Sequence, residues 1–338
     1  MDFDVTDVQR SWREKARAFG RELAVDAAAG DVIMGAARVG LIDPRTDLLA
    51  ASLAAEALSC ESASAGMMLA LHTTTLLTRL REGSGTFTAV MDSLARGETV
   101  GALALSSEDV PTLDNGTLTG RASWVGPITL RGVAVVGARQ GAQVVACAIA
   151  LDDEEHVRVT EVRTSALRGF VFAHLAFAGA PCLATGEPTS IMAQARTLIA
   201  SVALGICNRA LREALAVVHR ERGAGGEQTV QGLLADTATE LDAARMLTWK
   251  AGATNVSVSL ADASRAKLAA TSAAQAAVVR ATQIVGADSF RRGHVIEQLT
   301  QDVRAIELFA GRTEALREAV ANAELPQVGR QSAVGGRQ

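Results

Sequence analysis

Hydrophobic positions recur at helical spacing through the first hundred residues and again after Pro188. Thr6 and Gln9 form a capping-box pair, in which each side chain can satisfy a backbone donor at a helix start. Gly30 and Gly35 favour a looser stretch after this first helix. Three more helices are predicted over residues 47–59, 62–80 and 86–96. The pattern predicts an N-terminal helical domain over residues 1–99.

The period of the pattern changes at Val100. Short segments rich in β-branched or alternating apolar residues follow, separated by Gly, Pro, Asp and Asn turns. They cover residues 100–105, 118–125, 131–136, 143–151, 156–162 and 170–177. The connections are too short for helical crossovers, so an antiparallel β domain is expected over residues 100–186. The chain has no GxGxxG opening a helix after a strand, which excludes a Rossmann domain.

Four long segments with heptad-like apolar spacing follow, and they predict a C-terminal four-helix bundle over residues 187–325. Their expected ranges are 190–219, 230–253, 260–286 and 295–325. The polar, Gly-rich segment 326–338 is expected to be disordered. The predicted fold class is α+β, with the β domain between two helical domains.

Composition narrows the possible partners. The chain has 338 residues, 49% of them hydrophobic and 3% aromatic, with a net charge of −4. It has no basic block interleaved with aromatic residues, so nucleic acid is an unexpected partner. The N-terminus is acidic, and no apolar run is expected to reach the ~18 to 20 residues that span a bilayer. These features predict a cytoplasmic protein with no membrane partner.

Cysteine and histidine are scattered along the chain. Four cysteines without a CxxC favour reduced thiols over a disulfide framework or a zinc site, so no metal is expected. His72 lies within a predicted apolar helix and is expected to be a core or interface residue. The cysteines are Cys60, Cys147, Cys182 and Cys207.

Residues 281–316 hold the most informative motifs. They resemble the end of the acyl-CoA dehydrogenases, which read approximately Q-I-x-G-G-x-G-[FY], then E-[RK]-x-x-R-D-x-[RK], then I-Y-E-G-T. The matching residues fall in one ungapped register: Gln283, Ile284, Gly286, Phe290, Glu297, Asp302, Arg304 and Gly311. Weaker resemblances cover the β domain, where LRGFVFAHLAFAGAPC is similar to the family's G-x-R-x-S hairpin.

The resemblance implies a flavoenzyme that removes an α-proton from an acyl-CoA thioester while hydride leaves for FAD. Such a proton is very weakly acidic, so a carboxylate base is needed. The family's usual base position falls on Ala310, and an alternative position, just before Arg196, falls on Ala195. Neither residue can accept a proton. Glu307, nearly one helical turn before Ala310, is a weak candidate base, with a solvated or ion-paired carboxylate as the alternative.

The flavin-side motifs are partly changed. In the resemblance, Ser106 replaces a Thr hydroxyl that contacts the flavin, and Trp124 keeps the aromatic residue that lies against it. The alternative is that Trp124 is a core residue of the β domain. The Thr expected near flavin N5 has become Gly126.

Other positions correspond to residues that contact FAD across a dimer interface. The resemblance assigns Arg222 to the pyrophosphate, Gln228 and Gln283 to nucleotide hydrogen bonds, and Gly286 to close backbone approach.

Together these features predict a subunit without its own base. The pattern resembles that of the short, degenerate subunit of actinobacterial heterotetrameric acyl-CoA dehydrogenases, notably those of steroid side-chain degradation. Fatty acid degradation is the other pathway that the resemblance allows. FAD is then shared at a subunit interface, and the partner is a paralogue that carries the catalytic Glu. Two alternatives are a stand-alone enzyme of this fold with a non-standard base or other chemistry, and a flavin-free interaction protein.

Overall fold

The computed structural model describes residues 5–78, 80–82, 87–105, 109–129, 131–220, 224–253 and 258–325. Five helices form the N-terminal part: α1 Asp7–Glu22, α2 Ala29–Arg38, α3 Leu48–Glu61, α4 Ala63–Leu77 and α5 Phe87–Ala95. The capping box of α1 is formed, since Gln9 N donates to Thr6 Oγ1 and Thr6 N to Gln9 Oε1. Asp47 caps α3 through Ala50 N at 2.6 Å. The stretch expected to be loose at Gly30 and Gly35 is instead the helix α2.

The described strands form one mixed sheet. Their bounds are β1 Arg81–Glu82, β2 Val100–Ala104, β3 Thr112–Asp114, β4 Thr117–Val125, β5 Gly132–Gln140, β6 Gln143–Ala150, β7 Val157–Val162, β8 Phe172–Pro181 and β9 Ala184–Gly186. The order is β1-β9-β6-β5-β3-β4-β8-β7, with β2 beside β5. Most pairs are antiparallel, but β2 and β3 run parallel to β5. The expected antiparallel character holds for most pairs, and the parallel pairs arise because the β3–β4 hairpin itself serves as the crossover from β2 to β5.

The C-terminal part contains α6 Pro188–Arg220, α7 Gln228–Gly252, α8 Leu260–Val285, α9 Val295–Leu308 and α10 Thr313–Glu324. The last predicted helix is broken at residues 309–312, where Ala310 and Gly311 have φ angles of 55° and 110°. A left-handed conformation cannot continue a right-handed helix. The predicted tail, 326–338, lies outside the described residues.

Helix α6 is the central element of the core. An 18-residue window within it has a mean hydropathy of 1.5, so length and composition alone would let it cross a membrane, contrary to the sequence-based expectation. Within the protein, 83% of that window is buried. Gly205 lets α6 approach α3, since an added Cβ would lie 2.6 Å from the Glu56 carbonyl oxygen. Small residues therefore bury α6 against its neighbours.

Two cysteine expectations have different outcomes. Cys147 on β6 and Cys182 after β8 form a disulfide, with their Cα atoms 6.1 Å apart. The prediction of reduced thiols is wrong for this pair, because the sheet brings together residues that are 35 positions apart in sequence. Cys60 and Cys207 are free and buried. His72 is buried as well, and its Nδ1 accepts from Gly101 N at 3.1 Å.

Candidate functional site

The segment Phe309–Arg312 joins α9 to α10 and carries Ala310. The Ala310 side chain is buried, with 7% of the residue exposed. Positive φ angles at Ala310 and Gly311 turn the main chain so that several carbonyl oxygens point into the bundle. Alanine adopts this conformation only at a cost, so contacts around the segment must hold it in place.

Two buried cations bind those carbonyl groups. Arg196 on α6 donates from Nε to the Ala310 oxygen at 3.0 Å and from Nη1 to Ser264 Oγ at 2.8 Å. Lys267 Nζ on α8 donates to the oxygens of Glu307 at 3.1 Å and Gly311 at 2.7 Å, and also to that of Phe309. Three acceptors match the three donors of an ammonium group. The segment is thus fixed from two helices.

The surroundings of both cations disfavour their charged forms. Burial and, second, the Arg196 charge together lower the pKa of Lys267 to about 7, while the Glu307 charge opposes the shift. Burial also lowers the pKa of Arg196. Desolvation disfavours the charged form of a base, which accounts for both directions.

The two expected base positions adjoin one another through Arg196. Ala195 is fully buried on α6 and directly precedes Arg196, whose guanidinium reaches the main chain of Ala310. Motifs that are more than a hundred residues apart thus meet at one place. Neither position carries a carboxylate.

Glu307 lies at the junction of α9 and α10. Its carboxylate accepts from Gln275 Nε2 at 2.6 Å and from Thr313 Oγ1 at 3.0 Å. Arg304 Nη1 lies 3.5 Å from it. These contacts tie α8, α9 and α10 together, which is the arrangement of an ion-paired structural carboxylate.

Trp124 lies at the end of β4 and is linked to the same segment by aromatic contacts. Its ring meets Phe172 and His174 edge-on, with centroids 5.7 and 5.6 Å apart. Phe172 in turn lies 6.0 Å from Phe309. Trp124 remains 51% exposed, so it is not a plain core residue. Ring contacts thus link Trp124 to the segment that carries Ala310.

Contacts between the β domain and α9 give a structural role to two motif residues, a role that was not predicted from the sequence. Asp302 Oδ1 accepts from Leu167 N at 2.6 Å, and Glu297 lies 3.8 Å from Arg168. Burial raises the pKa of Asp302 to about 6, against the lowering effect of its hydrogen bonds from Leu167 and Gln298. The signal was present in the sequence, since both carboxylates and Arg168 lie in the matched motifs.

Gln228, Gln283 and Gly286 lie together at the far end of the bundle. Helices α7 and α8 are antiparallel, as the Arg280–Glu240 and Lys250–Asp262 pairs show, so the start of α7 lies beside the end of α8. All three residues are exposed, and Gly286 has a φ of 69° with open space around it. Gln283 is sixteen residues beyond Lys267 on α8, or about 24 Å along the axis at ~1.5 Å per residue. The bundle end and the Ala310 segment are therefore far apart in the chain's fold.

Two predicted residues cannot be placed. Ser106 and Arg222 lie outside the described residues. A cavity of about 470 Å³ opens near Trp124 on the exposed face of β4, β7 and β8. Its lining includes Arg121, Arg158 and His174.

Comparison with known proteins agrees with this geometry. Residues 188–325 match the family model described as "Acyl-CoA dehydrogenase, C-terminal domain". These residues are similar to that domain, and the whole chain has the fold of solved acyl-CoA dehydrogenases. The matched residues include α6 to α10, and hence Ala195, Glu307 and Ala310.

Named relatives of this family differ in chemistry. The chain is 36% identical over 133 residues to the 3-sulfinopropanoyl-CoA desulfinase of Paraburkholderia xenovorans (strain LB400), covering 38% of this chain and 34% of that protein. It is 36% identical over 129 residues to the human mitochondrial short-chain specific acyl-CoA dehydrogenase, covering 36% and 31%. The match thus spans about a third of the length of these curated relatives.

A solved structure extends the likeness to the whole fold. A glutaryl-CoA dehydrogenase from Mycobacterium smegmatis, in complex with FADH2, superposes with a TM-score of 0.84 over 94% of this chain and 95% of that one. The sequence identity is 17%, so this likeness concerns the fold alone. It agrees with the predicted order of helical domain, β domain and bundle.

Proposed function

We propose that this chain is a subunit of an FAD-dependent acyl-CoA dehydrogenase. It lacks its own catalytic base and completes the FAD site of a partner subunit. The partner is a paralogue that carries the catalytic Glu, and the assembly is an oligomer, most simply a tetramer of two chains of each kind. Its substrate class is an acyl-CoA thioester.

One observation carries this proposal. Alanine stands at both expected base positions, yet the polar residues assigned to nucleotide contacts remain exposed at the bundle end. Gln283 lies about 24 Å along α8 from Lys267, which binds the Ala310 segment, by the helical rise of ~1.5 Å per residue. Loss of a positioned base costs on the order of a hundred- to ten-thousand-fold in rate. A chain that has lost its base but keeps these exposed residues is suited to contribute FAD contacts to a neighbouring subunit.

The surface around the bundle end supports an interface there. Val279 is 57% exposed and lies one turn before Gln283 on the same face of α8, and Phe290, just after Gly286, is 78% exposed. Apolar side chains beside polar ones are typical of the centre of a protein interface.

Co-expression tests the proposal directly. The chain produced alone is expected to lack dehydrogenase activity, and the chain produced with a glutamate-bearing paralogue is expected to copurify with it as a yellow, active complex. The readouts are subunit ratio, flavin absorbance and reduction of an electron acceptor with acyl-CoA. A copurified complex without flavin would contradict the proposal.

A variant of the bundle end sharpens this test. Gln283→Ala in the complex is expected to weaken FAD binding about two- to twelvefold, because one hydrogen bond contributes about 0.5–1.5 kcal/mol. Gln301→Ala, at an exposed position of α9, is the matched control. Equal FAD affinity in both variants would show that Gln283 does not contact FAD.

The stand-alone alternative depends on Glu307. Its carboxylate is held by Gln275 and Thr313, which leaves it poorly placed to reach a thioester. Acyl-CoA turnover by the chain alone, abolished in Glu307→Gln, would favour that alternative over the partner-dependent subunit.

A further inference from the structure

The Cys147–Cys182 disulfide links strand β6 to the short connection between β8 and β9. The Cα atoms of the two cysteines are 6.1 Å apart, within the range of about 4.4–6.8 Å that a disulfide spans. They are separated by 35 positions in sequence, and the bond therefore closes a loop that contains β7 and β8.

The connection held by this bond leads into the C-terminal helices. Strand β9 has three residues and lies between β6 and the two-residue strand β1, and α6 begins at Pro188, two residues after it. Next to the disulfide, Cys182 N donates to the Gly116 oxygen and Leu183 N to the Ala148 oxygen, each at 2.9 Å. A segment held by few hydrogen bonds opens locally at a low cost in free energy. The disulfide is therefore an effective fastening for it.

Both oxidation states of the pair fit their surroundings. As a thiol, Cys182 can donate from Sγ to the Ala184 oxygen at 3.3 Å, and Cys147 Sγ lies 4.0 Å from the Ala148 oxygen. An S–H group is only a weak donor, so these acceptors are sufficient for the reduced pair. The fold can thus hold the cysteines as a disulfide or as two thiols.

The two sulfur atoms differ in their access to solvent. Cys147 is fully buried, whereas Cys182 is partly exposed. A thiolate in solution therefore reaches Cys182 first and displaces the sulfur of Cys147 as the leaving group. The cytoplasm, the compartment expected from the sequence, keeps thiols reduced, so a disulfide there is usually transient or redox-sensing.

We infer that Cys147 and Cys182 form a redox-responsive clamp on the β8–β9 connection, closed as a disulfide and opened through reduction by a small thiol such as glutathione. A glutathione thiolate attacks Cys182 Sγ, the S–S bond breaks, and Cys147 leaves as a thiolate. A second glutathione thiolate attacks the mixed disulfide and releases glutathione disulfide and the Cys182 thiolate. The two protein thiolates take up the two protons that the glutathione thiols lost. Glutathione disulfide drives the reverse reaction, and the clamp does not depend on the proposed subunit function.

Thiol labelling at set ratios of glutathione to glutathione disulfide tests the inference. The equilibrated chain is quenched in acid, unfolded and labelled with a maleimide, and its mass gives the number of labelled cysteines. Two labels, on Cys60 and Cys207, are expected under glutathione disulfide, and labels on all four cysteines are expected under excess glutathione. Four labels at every ratio, or two labels even under excess glutathione, would overturn the clamp.

Hydrogen exchange in the oxidised and the reduced chain measures the opening. The amides of Cys182 and Leu183 are expected to exchange about tenfold or more faster in the reduced chain, because the cross-link no longer opposes local opening. The amides inside α8 serve as the reference and are expected to exchange equally in both states. Equal exchange at Leu183 in both states would show that the disulfide does not hold the connection closed.

A variant separates the bond from the packing of the side chain. Cys182→Ser keeps a donor for the Ala184 oxygen but cannot form the disulfide, so three labels and fast exchange at Leu183 are expected at every ratio. Cys207→Ser is the matched control, because Cys207 is a free, buried cysteine, and its labels are expected to change from one to three. Slow exchange at Leu183 in folded Cys182→Ser would contradict the clamp. If this variant does not fold, labelling and exchange of the unmodified chain still decide.

Discussion

At the scale of single residues, the centre of the site is a pair of buried cations. Arg196 donates to the main-chain oxygen of Ala310, and Lys267 donates to that of Gly311. The side chain of Ala310 itself has no polar group. Buried carbonyl groups that lose their donors are costly, since each unsatisfied group costs about 1–3 kcal/mol. The conformation of the segment thus depends on residues of α6 and α8.

Lys267→Met is expected to lower the free energy of unfolding by about 3 kcal/mol, because three carbonyl oxygens lose their donor while the cost of burying a charge is removed. Lys250→Met is the control: Lys250 is half-exposed in an ion pair with Asp262, and such pairs contribute about 0–1 kcal/mol. Denaturant unfolding gives both values. Equal losses would show that the carbonyl contacts of Lys267 contribute little.

Asp302 makes stability depend on pH. Its pKa is about 6 in the folded protein and about 3.8 when unfolded, so the folded state binds more protons between these values. The free energy of unfolding from this group is therefore highest at low pH and falls as pH rises through 6.

Asp302→Asn removes this titration and keeps an oxygen to accept from Leu167 N. Relative to the unchanged protein, the variant is expected to gain about 2 kcal/mol of stability between pH 4 and pH 7, by the conversion of ~1.4 kcal/mol per pKa unit. Unfolding curves of both proteins at each pH give the difference. A difference that does not vary with pH would exclude Asp302 as the titrating group.

At the scale of elements, close approach decides the packing of the helices. Gly205 on α6 faces Ser59 and the Glu56 carbonyl of α3, so the two backbones touch. Gly232 on α7 has nothing within 4 Å of a built Cβ. The two glycines are equally helical but lie in opposite surroundings.

Gly205→Ala is expected to destabilise the protein by about 2 kcal/mol through overpacking. Gly232→Ala is expected to stabilise it by up to about 1 kcal/mol, since alanine has the higher helix propensity. Thermal or denaturant unfolding distinguishes the two signs. Stabilisation by both substitutions would mean that α3 and α6 can separate without cost.

The secondary-structure elements show which features the sequence patterns predicted and which they did not. Period and capping predicted the long helices well, and Thr6, Gln9 and Asp47 form the predicted caps. The break at Ala310 was missed, because its left-handed conformation is imposed by Arg196 and Lys267 from other helices. The function of Asp302 was missed for the same reason, since its partner Leu167 lies 135 residues away.

At the scale of the molecule, hydropathy and burial give different descriptions of α6. Its composition would suit a membrane, but its surface is covered by the helices around it. The same close packing brings Ala195 and Ala310 together and links Trp124 to them by ring contacts. Gln228, Gln283 and Gly286 lie apart from them at the bundle end. The proposed separation of the missing base from the interface exists only at this scale.

The sequence by itself determined the order of helical and β segments, the motifs of the last third and the absence of a carboxylate at Ala195 and Ala310. These depend on local periodicity and on residue identity. Only the tertiary structure decided that Phe172 stands beside Trp124, that Cys147 meets Cys182, and that β2 pairs with β5 in parallel. Such contacts join residues distant in sequence, and the packing of the whole chain selects them because no local preference does.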